Sequence, residues 1–292
     1  MSVRRPIGYV AADVEGLAPG ELVTVLADAG YGAVDWTMEQ WDPLADGPEV
    51  LAGLVALARD AGLACPQLMV HQDYVTADRG RWEERVARTE AAVDGAAAAG
   101  IPTVGIVTGP NRWVEGHEAV GRDLSETDAW DAALAAIERV LARARGKNLR
   151  VCLEPCWGTL ASDRYRAEYA LARAGRELAV TVDPSHFVMV GDDVPALVRE
   201  WRERLAHVHL KDAVGRRGMD GEDFWFLLPG EGGTDWTGLL DALDEVGYAG
   251  AMSVEFESFT LRDNVFGGRV DAAARHAKVL VDGVLATRDG RS

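Results

Sequence analysis

A chain of 292 residues with 48% hydrophobic content can bury a substantial core, as one large α/β domain or as two smaller ones. Its 30 Lys plus Arg stand against 47 Asp plus Glu, and a formal charge of -17 repels a nucleic-acid backbone. No stretch approaches about 18 uncharged apolar residues, residues 1–6 lead on without the apolar run of a signal peptide, and Cys65, Cys152 and Cys156 form no CxxC pair, so the expectation is a cytoplasmic chain with reduced thiols and no membrane segment.

The pattern alternates from the start. IGYVAAD precedes the helix-like GELVTVLADAG, and AVDWTM precedes PEVLAGLVALARDAG, which ends at Gly62. ACPQLMVH then leads into RWEERVARTEAAVDGAAAAG, and PTVGIVTG into a helix beginning near Asp128. NLRVCLEP is followed by SDRYRAEYALARAG, with Ser162 as the expected cap and Gly175 as the terminator. ELAVTVDPSH, a helix around Val194 to Arg202, LAHVHLKD, WTGLLDALDEVG, GAMSVEFE and a last helix from about Val270 to Leu285 complete eight strand-plus-helix units. That count is what a single (β/α)8 TIM barrel requires, as one domain over residues 1–292. A doubly wound open sheet fits less well, because polar residues recur at nearly every strand end instead of gathering at one switch point. The irregular stretches from Thr108 to Thr127 and from Ala213 to Asp235 both follow strands, which places them at the catalytic mouth as lids or substrate walls.

Glu154, Asp183, His209 and Glu255 each stand at the end of a strand-like run, and a barrel opens all such ends onto one face. Any one alone also reads as a cap or a salt-bridge partner. Together, three carboxylates on one barrel mouth need a cation or protons, and with one imidazole they suit a single divalent ion, Mn, Mg, Co or Zn. Such an ion polarises a carbonyl and holds the adjacent hydroxyl, easing formation of an ene-diolate, while Glu154 and Glu255 exchange protons on opposite faces of the carbon skeleton. His207 and His209 share a strand face; His209 is nearer the mouth and is the expected ligand, with His207 a layer beneath. His186, three residues beyond Asp183, is placed to orient substrate. Lys211 at the lip suits an oxyanion or an ordinary salt bridge.

CLEP with Glu154, DPSH with Asp183 and His186, HVHLKD with His209, LPGEGGTDW and VEFE with Glu255 together resemble the xylose-isomerase-like barrel family of sugar and sugar-phosphate isomerases and epimerases, over almost the whole length. The resemblance implies Glu154, Asp183, His209 and Glu255 as metal ligands, with Glu154 and Glu255 doubling as the acid/base pair. In the ketose 3-epimerase branch, a histidine corresponding to His186 and an arginine beyond the metal histidine contact substrate oxygens. This chain has KDAVGRRG there, so Arg216 or Arg217 matches loosely, and Arg217 is the candidate. The family also holds dehydratases, inosose-processing enzymes, DNA repair enzymes and carbon-glycoside-cleaving enzymes, so fold and metal site transfer better than reaction type.

Around the expected metal, Trp36, Trp113 and Trp157 stand at or beyond strand ends where an indole can stack on a sugar ring or an aromatic aglycone, and His71 ends the third strand. Glu231 within PGEGG, and Glu257 beyond Glu255, favour an unphosphorylated keto sugar or polyol over a sugar phosphate. The expected activity is a metal-dependent isomerase or epimerase of a small carbohydrate, manganese being one candidate metal. A lyase on an oxidised sugar, either a dehydratase or a carbon-glycoside-cleaving enzyme, is the enzymatic alternative. A carbohydrate-binding or partner subunit, in a homo-oligomer or beside another chain, is the non-enzymatic one.

Overall fold

The structure is a computed structural model describing residues 5–217 and 222–289; residues 1–4, 218–221 and 290–292, and with them the ends of the expected 1–292 domain, lie outside the described residues. In chain order the elements are β1 (Ile7–Val10), α1 (Pro19–Asp28), β2 (Ala33–Thr37), α2 (Pro48–Asp60), β3 (Gln67–Val70), α3 (Arg79–Ala99), β4 (Thr103–Ile106), α4 (Glu126–Ala144), β5 (Arg150–Leu153) and α5 (Arg164–Ala174). They continue with β6 (Ala179–Val182), α6 (Pro184–Val188), α7 (Val194–Glu200), β7 (Leu205–Leu210), β8 (Asp212–Arg217), β9 (Glu222–Leu227), α8 (Trp236–Glu245), β10 (Met252–Val254), α9 (Phe259–Val265) and α10 (Val270–Asp289). Strands β1, β10, β7, β6, β5, β4, β3 and β2 close a parallel barrel in that order, as the alternation of the sequence predicts.

Alternation along each strand divides the interior into two regions. Outward residues such as Tyr9, Val34, Leu68, Val104, Val180 and Val208 join helix residues such as Leu22, Leu51, Val93 and Ile137 in one apolar core between sheet and helices. Inward residues are mostly small or polar, Met69 being an exception. A Cβ on Gly8 would stand 2.3 Å from Ser253 Oγ, and one on Gly105 would meet the Gln67 side-chain amide at 2.9 Å, so a larger residue at either position would displace its neighbour. Gln67 Nε2 donates to Thr181 Oγ1 at 3.0 Å across the barrel.

Several helix starts are set by side-chain caps. Asp78 accepts from the Arg81 N–H, and Ser125 from the Asp128 N–H, which starts α4 at Glu126, near Asp128 as the sequence suggests. The cap of α5 is Asp163, which accepts from the Arg166 N–H at 2.9 Å, and not Ser162; Gly175, at φ 82°, ends that helix as expected.

The stretch expected to be irregular from Ala213 to Asp235 contains an antiparallel hairpin, β8 paired with β9 from Asp212↔Leu227 to Arg217↔Glu222. Buried Asp212 ties down the segment between β9 and α8: it accepts from the amides of Gly230, Gly232 and Thr234, from Thr234 Oγ1 and from Trp236 Nε1. Helices α6 and α9 are further additions to the eight expected. No helix among the described residues is long and apolar enough to cross a membrane.

Candidate metal centre

Glu154 follows β5, Asp183 follows β6 and caps α6 by accepting from the Ser185 N–H at 2.8 Å, His209 lies within β7, and Glu255 follows β10. All four are buried, and each offers a ligand atom within 4.8 Å of the others. His209 Nδ1 is 2.8 Å from Glu154 Oε1 and 3.8 Å from Glu255 Oε2, so that ring nitrogen faces the carboxylates. Glu154 Oε2 and Asp183 Oδ2 are buried without a hydrogen-bond partner, although charged or ionisable neighbours stand close: His71 Nε2 at 3.1 Å from the first and Lys211 Nζ at 3.1 Å from the second. Buried carboxylate oxygens with unused lone pairs, beside one imidazole, are a donor set that fits a hard or borderline divalent ion.

Lys211 is not at the lip. Its ammonium is buried among the carboxylates, 2.5 Å from Glu255 Oε2, 2.9 Å from Glu257 Oε2 and 3.1 Å from Asp183 Oδ2. With Glu154 close by, four carboxyl groups surround this ammonium. His207 lies a layer beneath, with Nε2 2.8 Å from Asp35 Oδ2 and its ring 5.3 Å from that of His209.

Burial opposes charge throughout, and the neighbours decide which groups keep it. Burial works against Glu154, but His209 and His71 overcome it and hold its carboxyl well below the usual range. For Glu255, burial, reinforced by Glu154 and Glu257, wins over Lys211 and pushes the carboxyl up to about 8. His209 is raised to about 10 because Glu154, Glu255 and Asp183 outweigh its burial. His186 moves the other way, to about 4, through burial and the adjacent Lys211. The Trp157 N–H donates to His186 Nδ1 at 3.3 Å, so the neutral ring carries its proton on Nε2, which lies 3.6 Å from Asp183 Oδ2. Burial drives the Cys156 thiol well upward, which keeps it protonated and disfavours a nucleophilic role.

Above this floor opens a cavity of about 1060 Å³, lined by Glu154, Glu255, Lys211, His186 and His71 below and by Trp113, Trp157 and the hairpin residues Phe224 and Phe226 higher up. Two expected substrate contacts stand elsewhere. Trp36 is fully buried in the apolar core: its neighbour Asp35 faces the barrel axis, so Trp36 faces the helices. Arg217 is drawn to the start of α5, where it contacts the Ser162 carbonyl at 3.4 Å and Asp163 Oδ2 at 3.7 Å. Sequence reading missed Asp35, although a lone acid inside the apolar run AVDWT was its signal. It also missed Phe224 and Phe226, whose signal was the alternating FWF of β9.

The sequence profile described as the xylose isomerase-like TIM barrel matches residues 23–281. The chain belongs to the xylose isomerase-like TIM barrel family. This family member is 24% identical over 152 residues to an inosose dehydratase of Lacticaseibacillus casei, a match covering 48% of this chain and 51% of the relative. The chain thus spans about half the length of the curated relatives it matches. Its barrel superposes on L-ribulose 3-epimerase with a TM-score of 0.73 at 19% identity, covering 99% of this chain and 97% of that one. It superposes on the IOLI protein, which carries a zinc atom, with a TM-score of 0.73 at 14% identity over 97% and 99% of the two chains. Both likenesses are of fold.

Proposed function

We propose that this chain is a divalent-metal-dependent enzyme that moves protons between adjacent carbons of a small keto sugar or polyol, an isomerase or epimerase built as one domain. The observation that carries the reading is the buried set Glu154, Asp183, His209 and Glu255, with its two partnerless carboxylate oxygens, at the bottom of an open cavity. These four would hold one ion, Mn, Mg, Co or Zn, and when bound it supplies Lewis acidity toward a carbonyl and its neighbouring hydroxyl.

The remaining work belongs to side chains. Glu154, kept anionic by its histidine neighbours, is suited to take a carbon-bound proton; Glu255, whose carboxyl sits near neutrality, is suited to return one. Lys211 stands beside Glu255, with His186 next to Lys211, and both would position substrate oxygens; His71 flanks Glu154, and Trp157 and Trp113 would stack on the ring. An unphosphorylated substrate fits best: of the GEGG amides that could cradle a phosphate, those of Gly230 and Gly232 are spent on Asp212 and those of Glu231 and Gly233 on the Leu228 and Ala213 carbonyls, and the floor is acidic. One of the proteins that share the fold is named an epimerase and another carries zinc.

A dehydratase is the second reading, favoured by the inosose dehydratases among the relatives. The same residues would then take a proton while a hydroxyl leaves as water. Metal-reconstituted protein incubated with keto sugars and inososes in deuterated water separates the two. Deuterium in a rearranged sugar, abolished by Glu154→Gln or Glu255→Gln, supports the isomerase; an unsaturated product moves the assignment to the lyase. No exchange with any substrate, despite bound metal, sinks both and favours a binding or partner subunit.

A further inference from the structure

An aromatic ladder climbs from the acidic floor to the rim of the cavity. Lys211 Nζ lies 4.5 Å above the ring of Phe226, which also meets His186 edge-on at 5.2 Å. Phe226 contacts Phe224 at 5.2 Å, Phe224 contacts Trp157 at 5.6 Å, and Trp157 stacks on Trp113 at 6.3 Å with 30° between the planes. Trp113 ends the ladder 45% exposed. Helix α9 adds Phe259, Leu261 and Val265 to the same cavity, and Val265 is 65% exposed. Three segments, the β8–β9 hairpin and the loops after β4 and β5, thus bring aromatic rings to one wall, and none of them is a barrel strand.

A bare sugar does not account for this surface. Cavities of roughly 300–1,000 Å³ hold drug-sized ligands, and one of about 1060 Å³ exceeds what a single sugar ring fills. The floor is charged and the upper wall is apolar, so the matching ligand is polar at one end and flat and apolar at the other. Apolar, aromatic surface left open to water at this scale marks a binding site. We propose that the ligand of this site is a sugar or polyol carrying an aromatic substituent, an aryl glycoside in the simplest case, its polyol end on the floor and its ring against Trp157 and Trp113. The proposal deepens the metal-enzyme reading above and rests on it for the polar end.

Methyl and phenyl β-glycosides of glucose, galactose and xylose, titrated calorimetrically into the metal-loaded full chain, test it in matched pairs. The phenyl member of at least one pair binds more tightly by on the order of tenfold, and Trp113→Ala and Trp157→Phe each reduce that advantage. Circular dichroism and the heat of metal binding show that each variant has folded. Equal binding within every pair, or no binding by any member, overturns the proposal, as does a preference that both variants leave intact. Sedimentation supplies a further overturning result: a dimer whose dissociation exposes the rim, with phenyl glycosides failing to compete, makes the aromatic wall an interface between copies. Metal heat and deuterium exchange report on the enzyme reading separately. Metal binding without phenyl preference removes only the aryl proposal, and phenyl preference without metal binding removes only the metal reading.

Discussion

Proton release tests the four-residue floor without any knowledge of a substrate. In the metal-free chain His209, raised to about 10, and Glu255, raised to about 8, both carry protons at pH 7, while Glu154 does not. A ligating imidazole and carboxylate must lose those protons. Ion binding at pH 7 therefore releases one proton from His209 and one from Glu255, and the apparent affinity rises with pH, more shallowly above pH 8 and levelling above pH 10. Calorimetry in buffers of different ionisation enthalpy measures the release, and a flat affinity from pH 6 to 9 contradicts it. For turnover, Glu154→Gln and Glu255→Gln each remove a proton-transfer group, with an expected loss of about 10²–10⁴-fold in kcat. Because both glutamates are also candidate ligands, metal content has to be measured beside rate. Lys211→Met removes a buried cation from among Asp183, Glu255 and Glu257, and the unpaired charge raises the demand for a metal. The variant loses more thermal stability than the parent when chelator is added.

At the level of elements, two adjacent residues separate what sequence pattern suggests from what the chain does. Asp163→Ala deletes the cap of α5 and costs about 1 kcal/mol, whereas Ser162→Ala, next to it, is close to neutral in urea unfolding. Asp212 matters more, since its carboxylate receives the donors that fold the segment after β9 onto the barrel. Asp212→Ala leaves several of those donors unmatched, and the expected cost is on the order of 3 kcal/mol or more. Proteolysis within 213–235 should quicken in this variant while the barrel helices keep their circular dichroism signal; unchanged proteolysis contradicts the anchoring role.

For the molecule as a whole, the barrel and its candidate ion are thermodynamically linked. An ion held by residues from β5, β6, β7 and β10 exists only in the closed barrel, so binding favours the folded state by about 2.7 kcal/mol when free metal is roughly 100 times its Kd. Thermal melts with Mn, Mg, Co and Zn, each against chelator, rank the ions by the shift they produce. The barrel order was legible in the sequence because eight apolar runs alternate with eight amphipathic helices, and hydrophobic period is a local property. Glu154, Asp183, His209 and Glu255 were legible as a set for a related reason: each is a polar residue ending an apolar run, and a closed parallel sheet brings such ends together. Trp36 was misread although the signal was present, since Asp35 facing the axis turns its neighbour outward. Only the tertiary structure decided that Lys211 enters the carboxylate cluster, that Arg217 is held away at the start of α5, and that a hairpin brings Phe224 and Phe226 to the cavity. Those placements depend on the reach of long side chains and on contacts between segments remote in sequence, which no local periodicity encodes.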